Sequence, residues 1–293
     1  ASVGGIARFQ GIFAPLLFDV IRAPLPDPRR LPAGTTGEQA TRHFFDELEP
    51  LLAAHHDTLA AMVIEPLVQC AAGMVMHPPG YLRGVRELTR KYDVLLIADE
   101  IAVGMGRTGT LFACEQEDIV PDFLCLGKGL TGGYLPMSAT ITHDEIYRAF
   151  LGSHVDGRTL YHGHTYGGNP LAAAAALATL DIFDEEQTLA KLPAKNAHLG
   201  EHLSRLAELP HVVQVRRRGL IGAFELTANQ ATGDLYPAED RRAWRVCREA
   251  LSRGVWLRPL GETLYIMPPL AISFGEIDQL MGALGAAIDH ETE

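Results

Sequence analysis

Two short stretches carry the residues most suited to chemistry. One is Asp122-Phe123-Leu124-Cys125-Leu126-Gly127-Lys128-Gly129, an apolar run that ends in a lysine between glycines. The other is Val94-Leu95-Leu96-Ile97-Ala98-Asp99-Glu100, an apolar run that ends in two acids. Each reads as a buried strand with a charged residue at its carboxyl end, which is where ligands sit in open α/β sheets. The lysines are Lys91, Lys128, Lys191 and Lys195, and only Lys128 follows an apolar strand rather than lying in a polar helical stretch. Flanking glycines give such a lysine room. Partial desolvation lets it lose its proton and act as a nucleophile, then as a proton carrier. Asp99 at a buried strand end costs several kcal/mol to desolvate unless it is paired, and a cationic ring N–H is a suitable partner. A helix cap or a structural ion pair is the alternative. Glu100 beside it and the apolar strand before it favour function. Ile101 then either presses on a ring face or is plain core.

An imine-forming lysine next to an acid that can hold a ring nitrogen protonated suits pyridoxal 5′-phosphate (PLP). A nucleotide-binding P-loop is excluded, because that motif needs a glycine where Asp122 stands and a hydroxyl residue where Gly129 stands. The loop Tyr161-His162-Gly163-His164-Thr165-Tyr166-Gly167-Gly168-Asn169 precedes a helix start, so its N–H groups and the Thr165 hydroxyl could hold a phosphate. A metal on His162 and His164 is disfavoured for want of a third ligand nearby in sequence, and no metal is assigned. His43, His55 and His56 read as surface residues of a solvated helix. Arg258, fixed by Pro259, and Tyr265 are candidates for gripping a carboxylate, with a surface ion pair as the even alternative. Glu65-Pro66 closes another strand and adds an acid to the same sheet edge.

The elements that must position these groups follow from periodicity. Residues 1–34 hold five prolines and read as loop. An amphipathic helix is expected over residues 36–59, capped by Thr35 or Thr36, with Phe44, Phe45, Leu48, Leu51 and Leu52 on its apolar face. Strands are expected at 61–65, 94–98 and 122–126, with a helix from Pro78 to about Tyr92 and an apolar run from Met137 to Ile141. Near-continuous apolar strands alternating with helices imply a mostly parallel sheet buried on both faces, with right-handed crossovers. Asn169-Pro170 reads as a helix start, followed by helices over 171–183 and 185–209. Beyond Val212 the pattern changes to a compact α+β unit: apolar stretches at 211–216 and 220–226, a helix at 237–253, strands at 255–258 and 264–267, and a helix at 274–290. The domain division is placed at about 185, giving a large domain over 1–185 and a small one over 186–293.

With 293 residues, 47% hydrophobic and 21% charged, the chain has an ordinary globular composition. Its net charge of −11 argues against nucleic acid as a main partner. No apolar run approaches the roughly 20 residues of a membrane helix. The start lacks the basic and apolar stretches of a signal peptide. Cys70, Cys114, Cys125 and Cys247 have neither zinc-site nor redox spacing and read as reduced, mostly buried thiols of a cytoplasmic protein. The chain enters mid-pattern without a methionine, as a piece of a longer protein does.

Glu65-Pro66, Asp99-Glu100-Ile101, Gly106-Arg107-Thr108-Gly109, Lys128 and Thr165…Gly168-Asn169-Pro170 together resemble the class III aminotransferases of PLP fold type I. The match runs along essentially the whole chain. Ser2-Val3-Gly4-Gly5, Leu130-Thr131-Gly132-Gly133-Tyr134 and Arg258…Tyr265 are most similar to the biotin-biosynthesis branch. Ala102 and Cys70-Ala71-Ala72 stand where ornithine-type members usually have glutamine and Gly-Glu, which favours the same branch. The resemblance implies an α/β large domain and a small α+β domain. It implies a homodimer with a shared active site, and transfer of an amino group to 8-amino-7-oxononanoate. By position, Asp99 resembles the acid on the PLP ring nitrogen, and Lys128 the Schiff-base lysine. His164 and Thr165 resemble phosphate contacts from the opposite subunit, Gly163 a substrate contact, and Arg258 with Tyr265 the grip on the keto-acid carboxylate. Tyr161-His162-Gly163-His164 resembles the wording of members that take lysine, rather than S-adenosylmethionine, as donor. Family members begin far upstream of Ala1, in a part that carries a phosphate loop and an aromatic that stacks on PLP. Two rivals stand beside this reading: another class III transaminase acting on ω-amino acids or polyamines, and a non-catalytic remnant.

Overall fold

The computed structural model describes residues 2–292. The proline-rich start departs from the expected loop. It holds a four-residue helix, α1 (Ala7–Gln10), and two 3-10 turns, Gly11–Leu16 and Pro28–Arg30. The second turn begins at Asp27, whose Oδ1 accepts from Arg29 N at 3.1 Å, with Pro28 at its first position. Helix α2 (Gly37–His55) opens on a reciprocal cap. Thr36 Oγ1 accepts from Gln39 N, and Gln39 Oε1 accepts from Thr36 N. Its buried face is Ala40, Phe44, Leu48 and Leu52, at helical spacing.

Next come β1 (Ala61–Ile64), a hairpin of β2 (Val68–Gln69) and β3 (Val75–Met76), helix α3 (Tyr81–Lys91), β4 (Leu95–Asp99), β5 (Phe123–Leu126) and β6 (Ala139–Thr142). The hairpin is absent from the sequence reading because its strands are too short to show a period. The main sheet has the order β1-β4-β5-β6, in which β1, β4 and β5 are parallel and β6 is antiparallel to β5. Arg86 of α3 clamps the edge of β5: its guanidinium donates to both oxygens of Asp122, and Asp122 Oδ2 also accepts from Leu96 N at 2.7 Å.

The expected burial on both sheet faces is not what the described residues show. Leu96 and Ala98 are fully buried with the apolar faces of α2 and α3, whereas Val63, Leu95 and Ile141 are 39%, 38% and 50% exposed. Alternate residues of a strand point to opposite faces, so one layer of helices covers only one set. On the other face only a small cluster forms, joining Leu126 and Leu130 to Ala176. Ala176 lies on α5 (Pro170–Glu185), which starts as expected with Asn169 Oδ1 accepting from Leu171 N at 3.0 Å. A six-residue helix, α4 (Asp144–Ala149), precedes it.

The chain ends with α6 (Thr188–Leu206), β7 (Val212–Arg218), β8 (Ile221–Leu226), α7 (Arg242–Ser252), β9 (Thr263–Ile266) and α8 (Phe274–Thr292). The three strands form an antiparallel sheet, β7-β8-β9. The strand expected at 255–258 does not form. Pro259 restricts the backbone of Arg258, Trp256 is 81% exposed, and pairing is confined to a bridge between Leu260 and Thr263. A core of Leu199, Leu203, Phe224, Val246, Ile277 and Leu284 fills this unit.

Strand β8 belongs to two cores at once. Phe224 and Leu226 face α6, α7 and α8, while Ile221 and Ala223 pack with Val68, Met74 and Tyr81. A charged clasp reinforces this junction. Arg216 donates to the carbonyls of Gly73 and Met74 in the hairpin and to both oxygens of Glu225, and Arg29 reaches Glu225 Oε1 at 2.5 Å.

Candidate active site

The parallel register puts three acid- or amine-bearing positions at one sheet edge. Ile64, the last residue of β1, pairs with Ala98, and Asp99 pairs with Cys125 of β5. Glu65, Asp99 and Lys128 therefore leave the carboxyl ends of neighbouring strands. Glu65 Oε2 accepts from Cys70 N at 3.0 Å. Burial raises the Glu65 carboxyl above its ordinary value and the Asp99 charge adds to this, while the Cys70 N–H and the Lys128 ammonium pull it down. The Cys70 thiol is pushed up to about 12, first by burial and then by Glu65, and it too feels Lys128 and Asp99. The four side chains thus share one electrostatic neighbourhood.

Asp99 Oδ1 accepts from Ile101 N at 3.0 Å. Its other oxygen has no hydrogen bond among the described residues. The Ile101 side chain lies against Gly127, where an added Cβ would sit 3.3 Å from Ile101 Cγ2. Ile101 is therefore placed beside the residue that precedes Lys128. Lys128 is exposed and its ammonium forms no hydrogen bond or ion pair among the described residues, while its backbone is left-handed at φ +44°. A non-glycine residue held there is strained, and such strain gathers at functional sites.

Glu100 has a different task from Asp99. It is 1% exposed, and its two oxygens accept from Ala113 N at 2.7 Å and Cys114 N at 2.8 Å. It anchors the 3-10 turn Ala113–Glu117 beneath the strand end. Its presence strengthens the frame of the site rather than its chemistry.

Arg258 and Tyr265 meet, with Arg258 Nε donating to Tyr265 Oη at 3.1 Å. Tyr265 is partly buried against the core that holds Val68, Cys70 and Met74, which brings this pair to the large-sheet side of β9. Gly163, His164 and Thr165 are exposed, and the contacts of their loop are local: Tyr166 N donates to His164 Nδ1 and Gly167 N to His164 O. Among the described residues no hydrogen bond or ring contact links them to Asp99 or Lys128. Two concavities, about 550 Å³ beside Gly200, Leu203, Arg216 and Arg217 and about 390 Å³ beside Thr36, Arg42 and Asp46, lie elsewhere. Lys128 itself is exposed at the sheet edge.

Three residues have contacts that their sequence motifs did not foretell. Cys70 read only as a buried thiol, although it follows Glu65 closely enough for that carboxylate to bond its N–H. Arg107 and Thr108 form the seat of the β7–β8 turn: Leu220 N donates to Arg107 O at 3.1 Å, and Gly219 rests on their backbone. Arg107 is half-buried, with its guanidinium on Pro268 O, and desolvation lowers its pKa. The Gly-rich loop thus joins the strand end of β4 to the carboxyl-terminal unit.

Comparison with known proteins gives the family. The family model described as "Aminotransferase class-III" matches residues 2–288. An adenosylmethionine-8-amino-7-oxononanoate aminotransferase from Nitratidesulfovibrio vulgaris is 49% identical over 100% of this chain and 54% of its own length. One so named from Geobacter sulfurreducens is 49% identical over 98% of the chain and 64% of its own. The crystal structure of the Methanocaldococcus jannaschii protein of that name superposes with a TM-score of 0.90 at 40% identity, over 99% of this chain and 64% of that one. An (S)-enantioselective omega-transaminase from Thermomicrobium roseum also gives 0.90, at 33% identity, over 100% of this chain and 64% of that one. The chain therefore spans between about half and two thirds of the relatives it matches. With the family model running over nearly every residue, and the lysine and the acid at adjoining strand ends, the chain belongs to the class-III aminotransferases.

Proposed function

We propose that the protein transfers an amino group by way of PLP to 8-amino-7-oxononanoate, giving 7,8-diaminononanoate for biotin biosynthesis. The observation that carries the reading is the unbonded Lys128 ammonium one strand over from the half-satisfied Asp99 carboxylate. These residues fit the cofactor: an amine with no competing partner among the described residues, an acid with a spare oxygen, and an apolar side chain, Ile101, against Gly127 beside the lysine. Bound PLP supplies an aldehyde that takes up the amino group and a pyridinium ring that withdraws electrons.

The protein's own residues do the rest. Asp99 keeps a proton on the ring nitrogen. Lys128 Nζ would hold the cofactor's aldehyde carbon and, once displaced, would carry a proton from the substrate carbon to the carbon that bore the aldehyde. Arg258, steadied by Tyr265, binds the acceptor carboxylate. His164 and Thr165 reach a phosphate in a second copy of the chain, and Gly163 lines the substrate path there, so the working unit is a homodimer. Their exposure and purely local contacts support that placement. Residues 1–185 act as the cofactor-bearing domain and 186–293 as the small domain, which the separate carboxyl-terminal core supports. Among the described residues no helix is long and apolar enough to cross a membrane, and with the acidic balance and free thiols we place the enzyme in the cytoplasm.

The test is acceptor choice in the protein as its gene encodes it. 8-Amino-7-oxononanoate should accept amino groups, from S-adenosylmethionine or lysine, far better than pyruvate or 2-oxoglutarate. Turnover with the latter two alone would assign the protein to the ω-amino-acid transaminases. A folded dimer that takes up no PLP would make it a non-catalytic relative.

A further inference from the structure

We propose that His198, His202 and Asp278 form a binding site for a late first-row divalent cation, represented by Zn²⁺, on the face of the carboxyl-terminal unit. His198 and His202 are four residues apart on α6 and so share one helix face. Asp278 comes from the first turns of α8. The ligating atoms of the three all lie within 4.8 Å of one another. Asp278 Oδ1 is 2.7 Å from Nε2 of each histidine.

The donor set selects the class of ion. Two imidazole nitrogens and one carboxylate oxygen suit zinc, nickel or copper, whereas calcium and magnesium take oxygen ligands. Tetrahedral donors at about 2.0–2.1 Å from a metal stand about 3.3 Å apart, so the carboxylate must withdraw by about half an ångström. The Asp278 side chain is 55% exposed and free to do so. The rings are held more firmly. His198 and His202 side chains are 24% and 13% exposed. They lie edge to face at 5.0 Å, and His198 packs edgewise on Phe274 at 5.2 Å. Leu199 and Leu203 of α6 and Ile277 and Met281 of α8 are buried in one core, so the two helices cannot drift apart. Such a rigid frame is what a metal site needs.

Without metal, each Nε2–H donates to Asp278. When the cation binds, each neutral ring shifts its proton to Nδ1 and offers the Nε2 lone pair, with no net proton lost. Water completes the coordination at the open fourth position. The cation then ties α6 to α8 and stabilises only the folded state.

Calorimetric titration of the EDTA-treated protein with ZnCl2, together with thermal unfolding, tests this. The expected result is saturable binding of one Zn²⁺ per chain and a raised unfolding temperature, with no response to MgCl2. His198→Gln and His202→Gln retain an N–H donor for Asp278 but lose the imidazole. Each should keep the metal-free stability, weaken Zn²⁺ binding by more than about tenfold and abolish the thermal shift. Absence of stoichiometric binding, or equal binding in both variants, would overturn the proposal.

Discussion

Asp99 and Lys128 stand one strand apart, because Asp99 pairs with Cys125 in the parallel β4–β5 ladder and Lys128 leaves the end of β5. Parallel strands put their carboxyl ends on the same side, so two residues far from each other along the chain reach one sheet edge. The strained Lys128 backbone and the Asp99–Ile101 bond fix how each side chain leaves its strand.

Lys128→Ala removes the amine proposed to hold the cofactor. Because Lys128 is exposed and unbonded, the far-ultraviolet circular dichroism should stay native. Turnover should fall by about 10²–10⁴-fold or more, and the visible absorbance of bound PLP should be lost. An unchanged spectrum would remove Lys128 from this role.

Asp99→Asn keeps an oxygen for the Ile101 N–H and so should alter folding stability by less than about 1 kcal/mol. It cannot hold a proton on the ring nitrogen by charge. Turnover should drop by about 10²–10³-fold with PLP still bound, read by steady-state assay beside absorbance. A variant of full activity would contradict the assignment.

Arg258→Ala should raise KM for the keto acid by about 10–100-fold and change kcat less, since a charge-assisted bond to a carboxylate contributes about 1.5–3 kcal/mol. If KM stays the same for acceptors with and without a carboxylate, Arg258 is only Tyr265's partner.

Gly219→Ala tests the joint between the units. Its φ is +58°, and an added Cβ would lie 2.5 Å from Arg107 O and from the Thr108 carbonyl carbon, which are backbone atoms that cannot swing aside. The left-handed strain and the overlap together should cost about 3 kcal/mol in urea unfolding.

His77 sets an acid limit on stability. It is 3% exposed, and neither ring nitrogen has a hydrogen-bond partner among the described residues. Burial, with the nearby Arg218 charge, lowers its pKa from 6.5 to about 3. The unfolded chain takes up a proton below 6.5 that the folded chain refuses. Its contribution is therefore complete above that value and is lost as the pH falls toward 3. His77→Leu should move the acid-unfolding midpoint to lower pH, and an unmoved midpoint would show that other groups set the limit.

Much of this protein is written locally. The Thr36 cap, the Asn169-Pro170 start, the apolar β4 and β5 runs and the lysine between glycines are short-range signals, because capping, periodicity and desolvation act within a few residues. The same locality made Glu100 count in favour of a functional strand end, when its carboxylate turns inward to the N–H groups of Ala113 and Cys114. Tertiary structure alone decided that β8 serves two cores, that Gly219 lies on the backbone of Arg107, and that His198 and His202 meet Asp278. Each of these is a contact between segments far apart in sequence, and no local spacing encodes which distant surfaces will pack.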